Sequence, residues 1–319
     1  MDDKHMMTEH AAGLELSCAR MHGAGNSFVV IDNMNEAASV SQLSEIAVEL
    51  CARYKADGIL VTVPVPAAHA LSLSLPESRH VSSDGQADKS LPTDMPKADF
   101  GMIYYNSDGS LGEMCGNGAR CIARFGFEHG LAADPDNIRV LATAGIVIGK
   151  RITEEQYEIH LNDPSAAEPC RFAEASGCEY ACSYVTLGYP GIPHAVVLTP
   201  PQDFEDMDML RERGRALRNS PVFPKGANVT FVRQDFDPLS EGSVHSVTAI
   251  TFERGVEDFT LACGTGCGAT AVSLSMWKLL TGNRVEINMP GGHLSVTFVR
   301  DGDHFSNLLL TGPTAYIES

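Results

Sequence analysis

The sequence predicts an α/β or α+β protein built from two similar halves. Stretches of strand-like apolar composition alternate with stretches of helical spacing, an order typical of these fold classes. The motif Cys-Gly-x-Gly occurs twice, beginning at Cys115 and at Cys263, each time between a predicted strand and a predicted helix. The length of 319 residues also suits two domains, since one domain commonly takes about 100–200 residues.

The first half contains predicted strands and helices, a tail and an insertion. Its strand-like runs are 14–21, 28–32 and 100–105. One helix is predicted over 40–54 from apolar residues spaced i, i+3, i+4, and a second begins at or just after Cys115 and ends before Gly130. Residues 1–14 are expected to form a disordered tail. Residues 66–98, within a stretch rich in Pro, Ser, Ala and Asp, are expected to be a surface insertion.

The second half repeats this order. A strand predicted over 247–252 leads through a loop to Cys263. The helix that follows is expected to carry its apolar face from Ala269 to Leu280, before Gly282 ends it. Both halves therefore share the order strand, loop, cysteine, helix, and each cysteine is expected at a helix N-terminus.

Composition and charge restrict the partners. The formal net charge of −18 argues against binding to nucleic acid or anionic lipid, because both are negatively charged. No run of about 18 apolar residues is present to span a bilayer, and the polar first residues do not resemble a signal peptide. Nine cysteines, an odd number spread over a long chain, suit a reducing compartment. We therefore expect a cytoplasmic protein that binds a small molecule and neither nucleic acid nor membrane.

A cysteine at a helix N-terminus is suited to proton transfer. The helix dipole and the unsatisfied backbone N–H groups can lower its pKa from about 8.5 into a range of about 3.5–7.5. The glycines that follow leave those N–H groups accessible to a carboxylate. One thiolate can remove the α-proton of an amino acid while a thiol on the opposite face returns another, and fixed dipoles stabilise the carbanionic state. This interpretation predicts an amino-acid racemase or epimerase that needs neither a metal nor another cofactor.

Two other interpretations of the cysteines stay open, a structural zinc site and a redox dithiol. Either would use the pairs Cys115/Cys121 and Cys263/Cys267. Zinc is disfavoured because the first pair is too widely spaced for a compact knuckle of about two to four intervening residues. The second pair has a suitable spacing but no matching partner knuckle.

Several segments, in order along the chain, resemble the diaminopimelate epimerase family. They are His22-Gly23-Ala24-Gly25-Asn26, Asn106-Ser107-Asp108-Gly109-Ser110, Met114-Cys115-Gly116-Asn117-Gly118-Ala119-Arg120-Cys121, Glu253-Arg254-Gly255 and Leu261-Ala262-Cys263-Gly264-Thr265-Gly266. The form Cys-Gly-Asn-Gly is specific, because the related proline racemases carry His in place of that Asn. The related phenazine-biosynthesis isomerase lacks the cysteine pair.

The resemblance implies two pseudo-symmetric domains, each a curved mixed sheet wrapped around a central helix, with the active site in the cleft between them. The first domain would comprise 15–157 with 307–319, and the second 158–306. The implied reaction is the interconversion of LL- and meso-diaminopimelate, which serves the biosynthesis of lysine and of peptidoglycan precursors. The resemblance implies no cofactor and no metal. A homodimer stays open.

The resemblance also assigns roles to individual residues. Cys115 and Cys263 would be the acid/base pair. The backbone N–H groups holding the reacting carboxylate would be those of Gly116, Asn117, Gly264 and Thr265. The side chains at the distal end of the substrate would be Asn26, Asn106, Asn228, Glu253 and Arg254. His194 would support these groups without taking part in the proton transfer itself, by orienting a cysteine or the substrate.

Three positions depart from the family pattern. Ile192 replaces an Asn that contacts the substrate in many members, Gly58 replaces a Gln found in some, and Phe259 replaces a common acidic residue. Three functions therefore stay open: a diaminopimelate epimerase, a related racemase of another amino acid such as histidine, and a non-catalytic amino-acid binding protein. The first two share every catalytic feature and differ only in the distal pocket.

Overall fold

The computed structural model describes residues 5–74, 97–112, 115–143, 145–175, 177–188, 191–235 and 245–318. The chain divides into two compact units. The N-terminal unit comprises Met1–Ile159 and Thr314–Ser319, and the C-terminal unit comprises His160–Pro313. None of the helices in the described ranges is both long enough and apolar enough to cross a membrane.

The N-terminal unit is a mixed β-sheet with helices packed on it. Its strands are β1 (Met7–Ala11), β2 (Leu14–Gly23), β3 (Asn26–Asp32), β4 (Gly58–Val63), β5 (Phe100–Asn106), β6 (Leu111–Gly112), β7 (Ile138–Ala142), β8 (Gly145–Arg151), β9 (Gln156–His160) and, after the second unit, β19 (Ala315–Tyr316). Its helices are α1 (Val40–Tyr54), α2 (Val65–Ser74) and α3 (Gly116–Glu128). Pairing is antiparallel for β2–β3, parallel for β3–β4, antiparallel for β4–β5, parallel for β5–β7 and antiparallel for β7–β8.

The C-terminal unit repeats that topology. Its strands are β10 (Pro164–Ala175), β11 (Cys178–Leu187), β12 (Ile192–Leu198), β13 (Asn228–Gln234), β14 (Ser246–Glu253), β15 (Asp258–Thr260), β16 (Arg284–Met289), β17 (Gly292–Asp301) and β18 (His304–Pro313). Its helices are α4 (Met207–Arg218) and α5 (Gly264–Met276), with a short 3₁₀ helix at Pro201–Glu205. Pairing alternates as before, from antiparallel β11–β12 through parallel β12–β13, antiparallel β13–β14 and parallel β14–β16 to antiparallel β16–β17.

A central helix lies in the core of each unit. Every residue of α3 from Asn117 to Gly126 is buried, as are Gly264 and Gly266–Ser275 of α5. Helix α5 carries small and apolar residues around most of its circumference, as a helix buried on all sides usually does, whereas α3 also buries Arg120 and Arg124. The predicted fold class, two similar units that each combine a mixed sheet with a central helix, is confirmed.

The described residues before β2 are ordered, so the expectation of a disordered tail over 1–14 is wrong from residue 5 onward. Strand β1 pairs antiparallel with β2. Glu9 fixes it by accepting hydrogen bonds from the side chains of Arg53 and Tyr54 at the end of α1. These partners lie 44 and 45 residues further along the chain, a distance at which local sequence patterns carry no information.

Helix α5 ends at Met276 rather than continuing to Leu280 as predicted. Lys278 adopts the left-handed conformation, with a φ of 59°. The N–H groups of Lys278 and Leu279 bond back to carbonyls of the last turn, which closes the helix in a Schellman motif. Glycine is the usual residue at that position, and its absence explains why the sequence predicted a longer helix.

The predicted insertion and domain boundary differ in part from the structure. Val65–Ser74 forms α2, and the remainder of the predicted insertion (66–98) lies largely in 75–96, outside the described residues. Residues 307–313 belong to β18, which pairs with β17 and stays in the C-terminal unit. The chain therefore returns to the N-terminal unit at Thr314 rather than at 307.

Candidate active site

Both cysteines of the repeated motif are N-cap residues of the central helices, as the sequence predicts. Cys115 precedes α3 with φ −126° and ψ 118°, and Cys263 precedes α5 with φ −121° and ψ 107°. Each carbonyl oxygen accepts the first helical hydrogen bond, from the N–H of Ala119 at 2.7 Å and of Cys267 at 2.9 Å. The first N–H groups of each helix have no carbonyl partner within the helix, and the helix dipole favours an anion beside them.

The second glycine of each motif lets the helix lie close to its sheet. A Cβ added to Gly118 would lie 3.0 Å from the Leu60 side chain, and one added to Gly266 would lie 2.8 Å from the hydroxyl oxygen of Thr251. A larger residue at either position would push the helix N-terminus, and the cysteine on it, away from the strands. The spacing Cys-Gly-x-Gly therefore positions the thiols.

In the N-terminal unit, a chain of hydrogen bonds joins Asn26 to the start of α3. The Asn117 amide donates to Asn26 Oδ1 at 2.6 Å and accepts from the Arg120 guanidinium at 2.7 Å. Because a guanidinium can only donate, it fixes the orientation of the Asn117 amide, which in turn leaves the Asn26 amide nitrogen facing Asp57 at 3.4 Å. The structure thus brings Asn26, Gly116 and Asn117 together. Sequence reasoning missed the fully buried Arg120, although it lies within the motif.

Asn106 is held in the turn that follows β5. Its side-chain amide nitrogen donates to Ser110 Oγ at 3.0 Å, and its backbone carbonyl oxygen accepts from the Gly109 N–H at 2.9 Å. These bonds support the backbone role that Asn commonly has in such turns. The side chain is half-buried, and its role in binding substrate stays a prediction.

In the C-terminal unit, Glu253 lies beside Cys263 rather than remote from the cysteines. Glu253 ends β14, and β15 returns antiparallel to it. The Thr260 hydroxyl at the end of β15 donates a hydrogen bond to the Glu253 carboxylate, which lies close enough to Cys263 for its charge to act on the thiol. This contact corrects the expectation that Glu253 binds only the distal end of the substrate.

Burial controls the protonation of this pair. It raises the pKa of Glu253, against the opposing effect of the hydrogen bonds from Thr260 and Cys263. Burial, together with the charge of Glu253, also raises the pKa of Cys263 well above its usual value. The Thr265 hydroxyl and the Gly266 N–H, 3.4 Å from the Cys263 sulfur, act in the opposite direction but do not outweigh burial. The expected lowering of the pKa is therefore wrong for Cys263, which is a protonated thiol at neutral pH.

Arg254 and Asn228 are neighbours, but Arg254 is exposed. The Arg254 N–H donates to the Asn228 side-chain oxygen at 2.8 Å. Its guanidinium donates to the Lys225 carbonyl at 3.0 Å. Asn228, by contrast, is buried at the start of β13. A guanidinium so placed can still reach a carboxylate from the surface.

His194 is fully buried in β12, where its Cα partner across the parallel pair is Asn228. Within the described part of the chain, neither ring nitrogen has a hydrogen-bond partner. Burial, and secondarily the charge of Arg254, lowers the pKa of His194 to about 3, so the ring is neutral at pH 7. An unsatisfied buried polar group is costly, which favours a partner that these residues do not supply. The orienting role of His194 stays a prediction.

Cys121 and Cys267 lie in the cores of their units. Both are fully buried, and burial raises the pKa of Cys121 to about 12. Across the ranges that the structure describes, no three His, Cys, Asp or Glu side chains are grouped so as to hold a metal ion. The packing of Cys121 and Cys267 gives the zinc and dithiol interpretations no support.

The three departures from the family pattern have different surroundings. Phe259 packs edge-on against Phe231 and Phe252, on the side of β15 opposite to Thr260 and Glu253. Ile192 is half-buried at the start of β12. Gly58 faces an aromatic ring, since an added Cβ would lie 2.6 Å from the Tyr104 ring. Phe259 therefore packs against the core, whereas Gly58 is the Cα partner of Asn106.

Comparison with known proteins gives a consistent result for the sequence. The family model described as diaminopimelate epimerase matches residues 77–163 and 186–317. The diaminopimelate epimerase of Aquifex aeolicus (strain VF5) is 33% identical over 296 residues, which cover 92% of this chain and 92% of that protein. That of Archaeoglobus fulgidus is 29% identical over 300 residues, covering 90% and 91%.

Solved structures agree with the fold. A PhzF-family phenazine biosynthesis protein from Bacillus anthracis has a TM-score of 0.61 at 14% identity, covering 94% of this chain and 96% of that one. A hydroxyproline epimerase from Agrobacterium vitis, with bound trans-4-hydroxy-L-proline, has a TM-score of 0.59 at 14% identity, covering 97% and 92%. At this level of identity the likeness concerns the fold alone.

Proposed function

Because the chain belongs to the diaminopimelate epimerase family, we propose that it interconverts LL- and meso-diaminopimelate by moving an α-proton between Cys115 and Cys263. Family membership makes the protein an isomerase that acts on an amino acid. The proposed reaction supplies precursors of lysine and peptidoglycan. It uses side chains and backbone dipoles only, with no cofactor.

The contact between Glu253 and the Cys263 thiol carries the proposal. A protonated thiol is the form needed to donate a proton to an α-carbanion, and burial keeps Cys263 in that form. The thiolate left after donation is stabilised by the Gly266 N–H and by the positive end of the α5 dipole. In the opposite direction Glu253 accepts the Cys263 proton, and its raised pKa makes it a better base for that step.

The second thiol is proposed to serve the other face of the α-carbon. Cys115 occupies the same position on α3 that Cys263 occupies on α5. The N–H groups of Gly116, Asn117, Gly264 and Thr265 are proposed to hold the reacting carboxylate, which stabilises the charge that develops on it when the α-proton leaves. The proton removed by one thiolate and the proton returned by the other thiol balance, so each turnover exchanges the roles of the two cysteines.

A specific observation favours a second candidate, a racemase of another amino acid such as histidine. The Glu253 carboxylate already contacts Thr260 and Cys263, so it is not available to bind a distal ammonium group. The amide groups expected at positions 58 and 192 are also absent, since these are Gly58 and Ile192. Arg254 alone would then recognise the distal end of diaminopimelate.

Proton exchange with solvent separates these functions. The wild-type protein is incubated in D₂O with a panel of amino acids that includes LL-diaminopimelate and histidine, and loss of each α-hydrogen signal is followed by NMR. We expect diaminopimelate to exchange fastest. Faster exchange of histidine would establish the second candidate, and exchange of no amino acid would leave only a binding protein.

Variants of the cysteines test the mechanism in the same assay. Cys115→Ala and Cys263→Ala should each reduce inversion by at least about a thousandfold, because each removes the acid or base on one face. Cys267→Ala is the matched control, because it replaces a second cysteine by alanine in the first turn of the helix that Cys263 caps. It should retain most activity. A rate of inversion within tenfold of wild type in Cys115→Ala or in Cys263→Ala would contradict the two-thiol mechanism.

A further inference from the structure

The half-buried ring of Tyr104 lies across three strands of the N-terminal unit. Tyr104 is on β5, with Cα partners Leu60 on β4 and Gly112 on β6. A Cβ added to Gly112 would lie 2.2 Å from Cδ1 and 2.5 Å from Cε1 of the ring. A Cβ added to Gly58 would lie 2.6 Å from Cε2, on the other edge. The ring therefore covers both neighbouring strands, and it fits only because the two facing residues are glycines.

The ring is on the same side of the sheet as the candidate site residues. Leu60 and Tyr104 are cross-strand neighbours, so their side chains share a face, and Leu60 also reaches toward Gly118 of α3. Asn106 follows Tyr104 by two residues along β5, which places both side chains on that face. Tyr105 points the opposite way, and its hydroxyl donates to a carbonyl of α1.

Asn26 extends this face on the neighbouring strand. Phe28 follows Asn26 by two residues along β3, and its ring meets the Tyr104 ring edge-on with centroids 6.2 Å apart. The Tyr104 ring extends beyond its own cross-strand partner, Leu60, toward Gly58. The Cα partners of Gly58 are Phe28 and Asn106. The phenol ring thus lies on the sheet face that carries Asn26 and Asn106, beside Phe28 and Gly58.

Resting on the function proposed above, we propose that the Tyr104 ring is the wall against which the substrate's side chain packs, and that it determines amino-acid selectivity. The ring and the backbone carbonyl oxygen of Tyr105 together occupy the space that any side chain at position 58 would need, since an added Cβ would lie 2.6 Å from the ring and 2.5 Å from that oxygen. At position 58 some related proteins carry the side-chain amide of Gln, whereas here the ring presents an apolar surface. The ligand that fits it is an amino acid whose side chain presents methylene groups or a flat ring, with its polar groups beyond the wall.

Substitution of Tyr104 tests this role through selectivity rather than through rate alone. Tyr104→Ala should raise KM for the preferred amino acid about tenfold while changing kcat less, because it removes a packing surface and no acid or base. It should also shift the ratio of kcat/KM between bulkier and preferred amino acids by about tenfold. Tyr104→Phe keeps the ring and should stay within about threefold of wild type. An unchanged selectivity ratio in Tyr104→Ala would overturn the proposal.

Gly112→Ala provides an independent test through the ring itself. The nearest atoms to the added methyl group all belong to Tyr104, so the substitution must displace the ring. We expect Gly112→Ala to alter selectivity in the wild-type background and to have no effect on it in the Tyr104→Ala background. Equal effects in both backgrounds would show that Gly112 acts through something other than the ring. Melting temperatures of all four proteins confirm that each is folded.

Failure of the proposed function gives a different result from failure of this inference. Exchange of α-hydrogen by wild type in D₂O tests the function, whatever Tyr104 does. If wild type exchanges an amino acid and Tyr104→Ala retains its selectivity, only the Tyr104 proposal is overturned. If wild type exchanges none, the function fails, and the ligand-induced rise in melting temperature across the same panel still compares the selectivity of binding. Identical profiles for wild type and Tyr104→Ala would then overturn the Tyr104 proposal as well.

Discussion

Replacing Glu253 with Gln should make the protein more stable and less active. Burial raises the pKa of Glu253 in the folded protein, so its ionised form is less favourable there than in the unfolded chain. A raised pKa contributes stability below the unfolded pKa, and that contribution is lost as pH rises through the folded pKa. At neutral pH the wild type carries this cost and the variant does not, although the Gln oxygen still accepts the hydrogen bond from Thr260.

The two effects differ in sign and in size. Relieving strain of this kind at a functional site commonly adds about 1 kcal/mol to the free energy of unfolding. For a domain of this size that corresponds to a rise in Tm of roughly 2–4 °C. Loss of a positioned acid or base reduces the rate by roughly 10²–10⁴-fold. Because the equilibrium constant fixes the ratio of the two directions, kcat/KM should fall by the same factor in each.

Thermal unfolding from pH 4 to pH 8, together with the rate of inversion, checks both effects. The gain in Tm of Glu253→Gln should be largest at pH 8 and should shrink toward pH 4, where Glu253 is mostly protonated in both folded and unfolded chains. Glu179→Gln, the same charge change at an exposed position of the same unit, should leave Tm and activity unchanged. A Tm lowered equally at pH 4 and pH 8, or a rate above one third of wild type, would refute the reasoning.

Two further variants and one further measurement on Glu253→Gln test the contacts described above. Gly266→Ala should lower stability by about 1–3 kcal/mol and reduce inversion, because its methyl group meets Thr251 and moves the α5 N-terminus; an unchanged Tm would contradict the close packing. Arg254→Ala should reduce kcat/KM for diaminopimelate by about ten- to a hundredfold, the scale of a charged hydrogen bond, and an unchanged value would remove Arg254 from the distal site. Alkylation of Cys263 should be faster in Glu253→Gln, because the carboxylate that raises the pKa of the thiol is gone, and a slower reaction would contradict that charge effect.

The elements and the thiol positions could be predicted because their signals are local. The apolar spacing of residues 40–54 gave the bounds that α1 has in the structure. The two Cys-Gly-x-Gly motifs predict N-caps at Cys115 and Cys263, and both cysteines are N-caps. A helix start depends on a few consecutive residues, which a sequence displays directly.

The surroundings of Cys263 could not be predicted because they depend on how strands pair. Glu253 and Cys263 are ten positions apart, and only the antiparallel return of β15 brings the carboxylate to the thiol. The predicted direction of the Cys263 pKa shift is wrong for the same reason. The sequence shows the helix N-terminus that lowers it, but not the burial and the carboxylate that raise it.

Tyr104 shows the same limitation in the N-terminal unit. In the sequence, Gly58 and Gly112 lie 54 positions apart, and Tyr104 belongs to a run with the composition of a core strand. Their relation appears only when β4, β5 and β6 pair in register, because each glycine then faces one edge of the ring. The packing of Tyr104 against Gly58 and Gly112 is therefore a contact that sequence motifs do not record.

The distribution of deuterium after the first turnovers in D₂O tests the central claim, transfer of the α-proton through two thiols. Protiated LL-diaminopimelate is converted to a small extent, and product and remaining substrate are separated and analysed by mass spectrometry. We expect one deuterium at the inverted carbon of the product and none in the recovered substrate, because one thiolate removes the proton and the opposite thiol donates one drawn from solvent. Product that retains its original α-hydrogen would show that a single base returns the same proton, and would rule out transfer through two thiols.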